Sequence, residues 1–292
     1  MLGIIGPGAL GHMLGFFLKK SQAELAFQML AHEGPRVITA KILWQGQEFD
    51  LKIDQTQGLC DTFIVLVKSY HLTEAMQQHL PRLHLGGTVI LLGNGYLEPL
   101  LAPYRSARPD ITWRKGLVTW GVKRDENDRY SLSPSGTIVW GGPGAPSSTE
   151  GLVLAALRDY GGQWAVDACD RRKAKWFCNT VLNTLCGAYR LPSNGAAWQL
   201  FRQDLEALST EVYRLGREIW PEWTASKENL GETLRRLIEM TADNENSMAR
   251  DLRLGRQTEA DVLSGCLSLS AVPSRYSLLS SFHERVSQTP TL

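Results

Sequence analysis

Leu2-Gly3-Ile4-Ile5-Gly6-Pro7-Gly8-Ala9-Leu10-Gly11, one residue in from the start of the sequence, decides how the fold is read. Residues 2–5 read as a short buried strand, and residues 10–20 as the helix that follows it. Between them Gly6, Gly8 and Gly11 stand at the spacing G-x-G-x-x-G. Dinucleotide binding has a use for glycine at each place. Gly6 makes the tight turn, Gly8 lets the backbone approach a pyrophosphate, and Gly11 allows the helix to pack closely on the strand. Ala9 and Leu10 lead into the helix, whose terminal N–H groups and partial positive charge suit phosphates. The same six residues could also make no more than a tight strand-to-helix turn, so the rest of the chain has to decide.

Working outward, residues 23–29, 62–67 and 88–92 read as further strands, the last two β-branched and apolar without alternation. Continuous apolar runs of this kind fit parallel strands covered by helices on both faces. Residues 116–122 and 136–140 extend the sheet, residues 141–146 form an irregular surface connection, and residues 149–159 a further helix. After Tyr160-Gly161-Gly162 the texture changes, and residues 173–189, 196–220, 230–244 and 259–267 read as helices. The expected fold class is therefore α/β: an N-terminal Rossmann-type dinucleotide-binding domain, residues 1–163, followed by an all-α C-terminal domain, residues 164–292.

Composition narrows the function. Of 292 residues, 43% are hydrophobic and 21% charged, which is ordinary globular usage. Lys and Arg number 31 against 30 Asp and Glu, a net charge of +1 that leaves no electrostatic footprint for nucleic acid. No apolar run approaches the roughly 18 residues needed to span a bilayer, so no membrane partner is expected. The first residues carry no basic segment or cleavage signal, so export is not expected either. Cys60, Cys169, Cys178, Cys186 and Cys266 are scattered with no CxxC pair, which argues for reduced thiols, a cytoplasmic location and no metal site.

Three clusters could carry chemistry. Lys175, Asn179 and Asn183 fall at i, i+4 and i+8 in Lys173-Ala174-Lys175-Trp176-Phe177-Cys178-Asn179-Thr180-Val181-Leu182-Asn183 and form one polar stripe on a helix. A buried amide without a partner costs on the order of 1–3 kcal/mol, so two asparagines among apolar neighbours want each other or a ligand. The alternative is a solvated helix face. The second cluster is Asn244-Glu245-Asn246-Ser247-Met248, followed by Gly255-Arg256-Gln257-Thr258-Glu259, where Thr258 could equally cap a helix that Glu259 opens. The third lies at two strand ends, Val67-Lys68-Ser69 and Leu92-Gly93-Asn94-Gly95. Ligands of open α/β sheets bind outside the carboxyl ends of strands, which favours Lys68 and Asn94, although a surface lysine and an Asn-Gly turn would read the same. The second strand ends Met29-Leu30-Ala31-His32-Glu33, with no acid at its immediate end for a ribose and no Arg for a 2′-phosphate. His32 and Lys20 are candidate cations or solvated residues, so NADP(H) and NAD(H) both stay open.

Taken in order, these features resemble the ketopantoate reductase (2-dehydropantoate 2-reductase) family over nearly the whole chain. The resemblance rests on Gly6 to Gly11, Lys68, Asn94-Gly95, Lys175-x3-Asn179-x3-Asn183, Pro192-Ser193-Asn194-Gly195, and the Ser247-Met248 and Thr258-Glu259 words. It implies a Rossmann domain, a helical domain, an active site in the cleft, NADPH, and hydride transfer to a 2-keto acid by a monomer or homodimer. Lys175 corresponds to the proton-donating catalytic lysine and Glu259 to the acid that binds the substrate hydroxyl and holds the lysine. Asn94, Asn179, Asn183, Asn244 and Ser247 correspond to substrate contacts, with Asn94 and Lys68 also lining the cofactor's place. There are departures. Leu30 stands where the family commonly has the arginine for the 2′-phosphate, and Thr184 where it often has proline. Tyr96-Leu97 occupy a stretch that usually carries a second glycine, and the segment between Glu259 and Pro273 is shorter than usual. A related reductase of a different keto acid is therefore a second expectation. A nucleotide-binding module without turnover is a third, disfavoured because both Lys175 and Glu259 are retained.

Overall fold

A computed structural model describes residues 1–21, 24–30, 37–55, 58–127, 129–132 and 136–287. The chain forms two compact units, Met1–Gly93 with Glu98–Arg172, and Asn94–Leu97 with Lys173–Leu292.

The first unit is built from β1 (Leu2–Ile5), α1 (Ala9–Lys20), β2 (Phe27–Leu30), β3 (Val37–Trp44), β4 (Gln47–Asp54), β5 (Cys60–Val65), α2 (Leu72–His79), β6 (Leu83–Leu91), α3 (Glu98–Ala107), β7 (Thr112–Val118), β8 (Val122–Arg124), β9 (Arg129–Leu132), β10 (Ile138–Gly141), α4 (Ser148–Ala156) and β11 (Gly162–Trp164). Seven strands form one sheet in the order β11-β10-β7-β6-β5-β1-β2. Pairing is parallel from β2 through β7, with β10 antiparallel to β7 and β11 parallel to β10. The continuous apolar runs of β1, β5 and the end of β6 are buried, as unalternating strands should be.

A second sheet, β4-β3-β9-β8, was not expected from the sequence. It explains why α1 is apolar all round: every residue from Gly11 to Leu18 is buried, and a helix without a polar face must be covered on both sides. On the side of this sheet, Phe16 packs on Phe49 (5.3 Å), Phe17 on Trp44 (5.0 Å), and His12 stacks on Tyr130 (4.8 Å). The β3–β4 hairpin turns through Gln45 (φ 51°) and Gly46 (φ 78°), the two left-handed residues of a two-residue loop that matches strand twist.

The units divide between Arg172 and Lys173 rather than at residue 163. Arg172 accounts for the difference. Its Nη1 donates to the carbonyls of Leu91 (3.0 Å) and Gly116 (3.3 Å), which ties the start of the next helix to the first unit. Burial pulls this guanidinium down to about 10, so it stays charged at neutral pH.

The second unit comprises α5 (Ala168–Ala188, its first turn belonging to the first unit), α6 (Asn194–Leu200), α7 (Arg202–Ile219), α8 (Lys227–Met240), α9 (Ser247–Arg253) and α10 (Ser277–Ser287). Its core joins Phe177, Val181, Leu182 and Leu185 of α5 to Leu208, Val212 and Leu215 of α7 and Leu234 and Ile238 of α8. Two expected helices differ. Residues 196–220 break at Phe201 (φ −132°, ψ 36°), whose ring stacks on Tyr189 at 3.9 Å. Residues 259–267 form two short 3-10 turns, Ala260–Val262 and Ser264–Leu269, in place of an α-helix.

Candidate active site

The first group of site residues lies where β1 hands over to α1. Gly6 has φ +115°, and a Cβ there would lie 3.0 Å from the backbone nitrogen of Val67, the residue before Lys68. A Cβ on Gly11 would lie 2.0 Å from the carbonyl oxygen of Gly6, so helix and loop touch backbone to backbone. Gly8 differs: it is exposed, and a Cβ there would meet nothing within 4 Å. Packing therefore explains glycine at 6 and 11 but not at 8. Gly8 occupies the N-cap of α1 with no side-chain cap, and no acid stands in the first turn, so the leading N–H groups of Ala9 and Leu10 suit an anion. His12 braces the loop from below, its Nδ1 donating to the Gly8 carbonyl at 2.9 Å. Burial, reinforced by nearby Arg124, lowers its pKa below the ordinary histidine value and keeps the ring neutral. Lys68 follows β5, half-buried, its carbonyl accepting from His71 N–H at 2.9 Å.

The residues expected to choose between dinucleotides are less informative. Leu30 ends β2 fully buried, and Lys20 sits over the rings of Phe49 (5.0 Å) and Phe16 (6.0 Å). His32 and Glu33 lie outside the described residues.

The second group lies wholly in the second unit and joins residues far apart in sequence. Asn94 Nδ2 donates to Glu259 Oε2 at 3.0 Å, and Asn179 Nδ2 donates to Asn94 Oδ1 at 3.4 Å. A carboxylate only accepts, so Glu259 fixes the sense of the whole relay. Asn94 must turn its NH2 to the acid, its oxygen then faces Asn179, and Asn179 must donate in turn. Asn179 Oδ1 is left on the far side of the relay. Lys175, half-buried, stands one turn earlier on the same face of α5. Gly95 is what lets Asn94 reach its partner: at φ +85°, its missing Cβ would lie 2.7 Å from the Val262 carbonyl, which Tyr96 N–H contacts at 2.8 Å. Thr258 Oγ1 accepts from Ala260 N–H (3.3 Å), but the helix it was expected to cap does not form: the N-cap of the short 3-10 turn there is Glu259, without a side-chain cap. Glu259 itself is buried at 7% exposure and is no solvated first-turn acid.

Asn183 is placed differently from Asn179. It is buried, and its Oδ1 accepts from Asn246 Nδ2 at 2.9 Å, a partnership that the sequence did not suggest. Asn244 and Ser247 are exposed at the start of α9, and the Asn244 carbonyl accepts from Asn194 N–H at 3.0 Å. Tyr96, two residues after Asn94, sets its ring against Trp220 at 5.3 Å, and Trp220 in turn meets Trp176 at 5.0 Å.

All five cysteines are unpaired, and burial pushes the thiols of Cys178, Cys186 and Cys266 up to about 12, far from a reactive thiolate. Among the described residues no group of His, Cys, Asp and Glu could hold a metal ion, and no helix is long and apolar enough to cross a membrane.

A largely parallel sheet with a glycine turn at an uncapped helix, followed along the chain by a helical unit, is an architecture suited to a dinucleotide-dependent oxidoreductase. The chain belongs to the ketopantoate reductase family: residues 2–144 match the family described as Ketopantoate reductase PanE/ApbA, and residues 167–271 its C-terminal counterpart. Among curated relatives, the 2-dehydropantoate 2-reductase of Yersinia pestis is 26% identical over 273 residues, covering 90% of this chain and 86% of that one. Among solved structures, the PanE/ApbA family ketopantoate reductase from Ralstonia eutropha JMP134 superposes with a TM-score of 0.80 at 18% identity, over 98% of this chain and 97% of that one. The D-mandelate dehydrogenase solved with NADH and anilino(oxo)acetate gives the same TM-score at 16% identity and the same coverage.

Proposed function

We propose that the chain reduces the keto group of a 2-keto acid to a hydroxyl, with 2-dehydropantoate, the substrate named in the curated relatives, as the first candidate. The observation that carries this reading is the one-way relay from Asn179 through Asn94 to Glu259, set on the face of α5 that also holds Lys175. The backbone of Gly6, Gly8, Ala9, Leu10 and Gly11, together with Lys68, would hold a nicotinamide dinucleotide, and the chemistry that group would supply is a hydride for the carbonyl carbon. The protein's own part is the oxygen. Lys175 Nζ gives a proton to the oxygen as negative charge develops there, and its positive charge stabilises that oxygen before transfer. Asn179 Oδ1, turned away from the relay, is the acceptor suited to aim the ammonium. Glu259 and Asn94 bind the substrate's polar substituent, with Asn183, Asn244 and Ser247 completing the contacts.

Glu259 separates binding from turnover. Glu259→Ala leaves Asn94 without its acceptor, a loss on the order of 1–3 kcal/mol, or about 10- to 100-fold in kcat/KM. The rise should be mainly in KM, whereas Glu259→Gln keeps an acceptor for Asn94 and should lose less. Steady-state kinetics on the two variants decides it, and equal kcat losses with unchanged KM would remove Glu259 from substrate binding.

Cofactor choice is the second test. Buried, apolar Leu30 cannot pair with a 2′-phosphate, so kcat/KM for NADPH and NADH should agree within about tenfold, roughly 1.4 kcal/mol. A larger ratio would assign the discrimination to another cation.

The aromatic Tyr96 beside Asn94 favours a second reading, a family member whose keto acid is not 2-dehydropantoate. Oxidation of the reduced dinucleotide against a panel of 2-keto acids, bulky and aromatic ones included, separates the two.

A further inference from the structure

Four buried or half-buried polar groups outside the Asn94 relay form a second chain of hydrogen bonds, and its direction is also fixed. It starts from Met248 N–H, which donates to Asn246 Oδ1 at 3.0 Å and makes Asn246 the N-cap of α9. A backbone N–H is never an acceptor, so the Asn246 oxygen must point to it. The Asn246 NH2 is thereby turned inward, and it donates to Asn183 Oδ1 (2.9 Å) and Asn194 Oδ1 (3.1 Å). Asn194 then turns its own NH2 to Thr241 Oγ1 (2.9 Å), and that hydroxyl donates to the Leu237 carbonyl (2.7 Å). Every step agrees in polarity with the one before it.

The consequence falls on Asn183. With its oxygen held by Asn246, its NH2 is directed away from Asn246, on the polar stripe of Lys175 and Asn179. That NH2 donates to none of the described residues and is not sealed from solvent. We propose that Asn246 is a positioning residue for the keto-acid reaction: it locks the Asn183 amide so that an N–H, and not a carbonyl oxygen, faces the substrate. The carboxylate and keto oxygens of a 2-keto acid only accept hydrogen bonds, so the orientation matters. This deepens the keto-acid reading above and rests on it.

Asn246→Asp tests the lock with almost no change in volume. The new carboxylate still caps Met248 N–H but has no donors, so Asn183 turns over and gives its NH2 to Asp. Asn194 can follow, because the Thr241 hydroxyl donates as well as it accepts. A carbonyl oxygen then meets the substrate's acceptor-only oxygens. KM for the keto acid should rise about tenfold or more, with kcat within about threefold and dinucleotide affinity unchanged. Asn246→Ser keeps the cap but frees Asn183 to rotate, and should raise KM by a smaller factor; it carries the test alone if the Asp variant does not fold. Asn183→Ala serves as the reference for the underlying reading. If it raises KM while both Asn246 variants keep the parental KM, the positioning role is wrong and the keto-acid reading stands. The positioning role is equally wrong if the Asn246 variants lower only Tm and the active fraction, with KM constant. If the parental chain turns over no 2-keto acid at all, it is the keto-acid reading that fails.

Discussion

Replacing Lys175 with alanine should lower kcat by about 10²- to 10⁴-fold, the usual range for losing a positioned proton donor. The affinity for the reduced dinucleotide should stay where it was. The reason is in the placement of the groups. On the proposed reading the backbone N–H groups at the start of α1 hold the dinucleotide, whereas Lys175 lies on α5 in the second unit. Lys175→Arg sharpens the test, because a guanidinium keeps the charge but does not release a proton near neutral pH. If charge alone stabilised the developing alkoxide, the arginine variant would recover most of kcat. If proton transfer carries the effect, arginine should stay close to alanine. Measuring dinucleotide affinity by fluorescence titration alongside kcat guards against a general loss of structure. Full activity in Lys175→Ala would take the lysine out of the mechanism.

How much of the fold and site is legible in the sequence follows from how local each constraint is. The glycine loop is legible because its demands arise within six residues, where Gly11 touches the Gly6 carbonyl across a single turn. The stripe on α5 is legible because 3.6-residue spacing places Lys175, Asn179 and Asn183 together whatever the rest of the chain does. The second sheet is not. Its turn, Gln45-Gly46, lacks the Asn-Gly or Asp-Gly word that marks a two-residue hairpin, and β3 pairs with β9 across more than 80 residues of chain, with Lys41 opposite Arg129. The helix break at Phe201 has no Gly or Pro to announce it and goes with a ring stacked on Tyr189. Asn183 shows the limit most clearly. Its spacing puts it in line with Asn179, but its partner Asn246 lies 63 residues away, and only tertiary packing brings the two amides together.

The glycine loop itself gives the other large effect, and two substitutions three residues apart should fail in opposite ways. Gly8→Val should leave folding intact, because a Cβ at that position meets nothing within 4 Å and the backbone there is extended, with φ −82° and ψ −172°. Its side chain would instead project into the space over the α1 N-terminus that a pyrophosphate requires. Dinucleotide affinity should fall by about 100-fold or more, equivalent to roughly 2.7 kcal/mol. Gly11→Ala should do the reverse. Its Cβ would stand 2.0 Å from the Gly6 carbonyl oxygen, so α1 must move off β1 or the loop must deform. Overpacking of this kind costs about 1–3 kcal/mol, partly offset by the roughly 1 kcal/mol by which alanine outdoes glycine in a helix. A thermal melt should therefore show a Tm lower by several degrees for Gly11→Ala and an unchanged Tm for Gly8→Val. Titration with the reduced dinucleotide should rank them the other way, with Gly8→Val the weaker binder. If Gly8→Val binds as the parent does, the loop is a turn and nothing more, and the pyrophosphate has no place there.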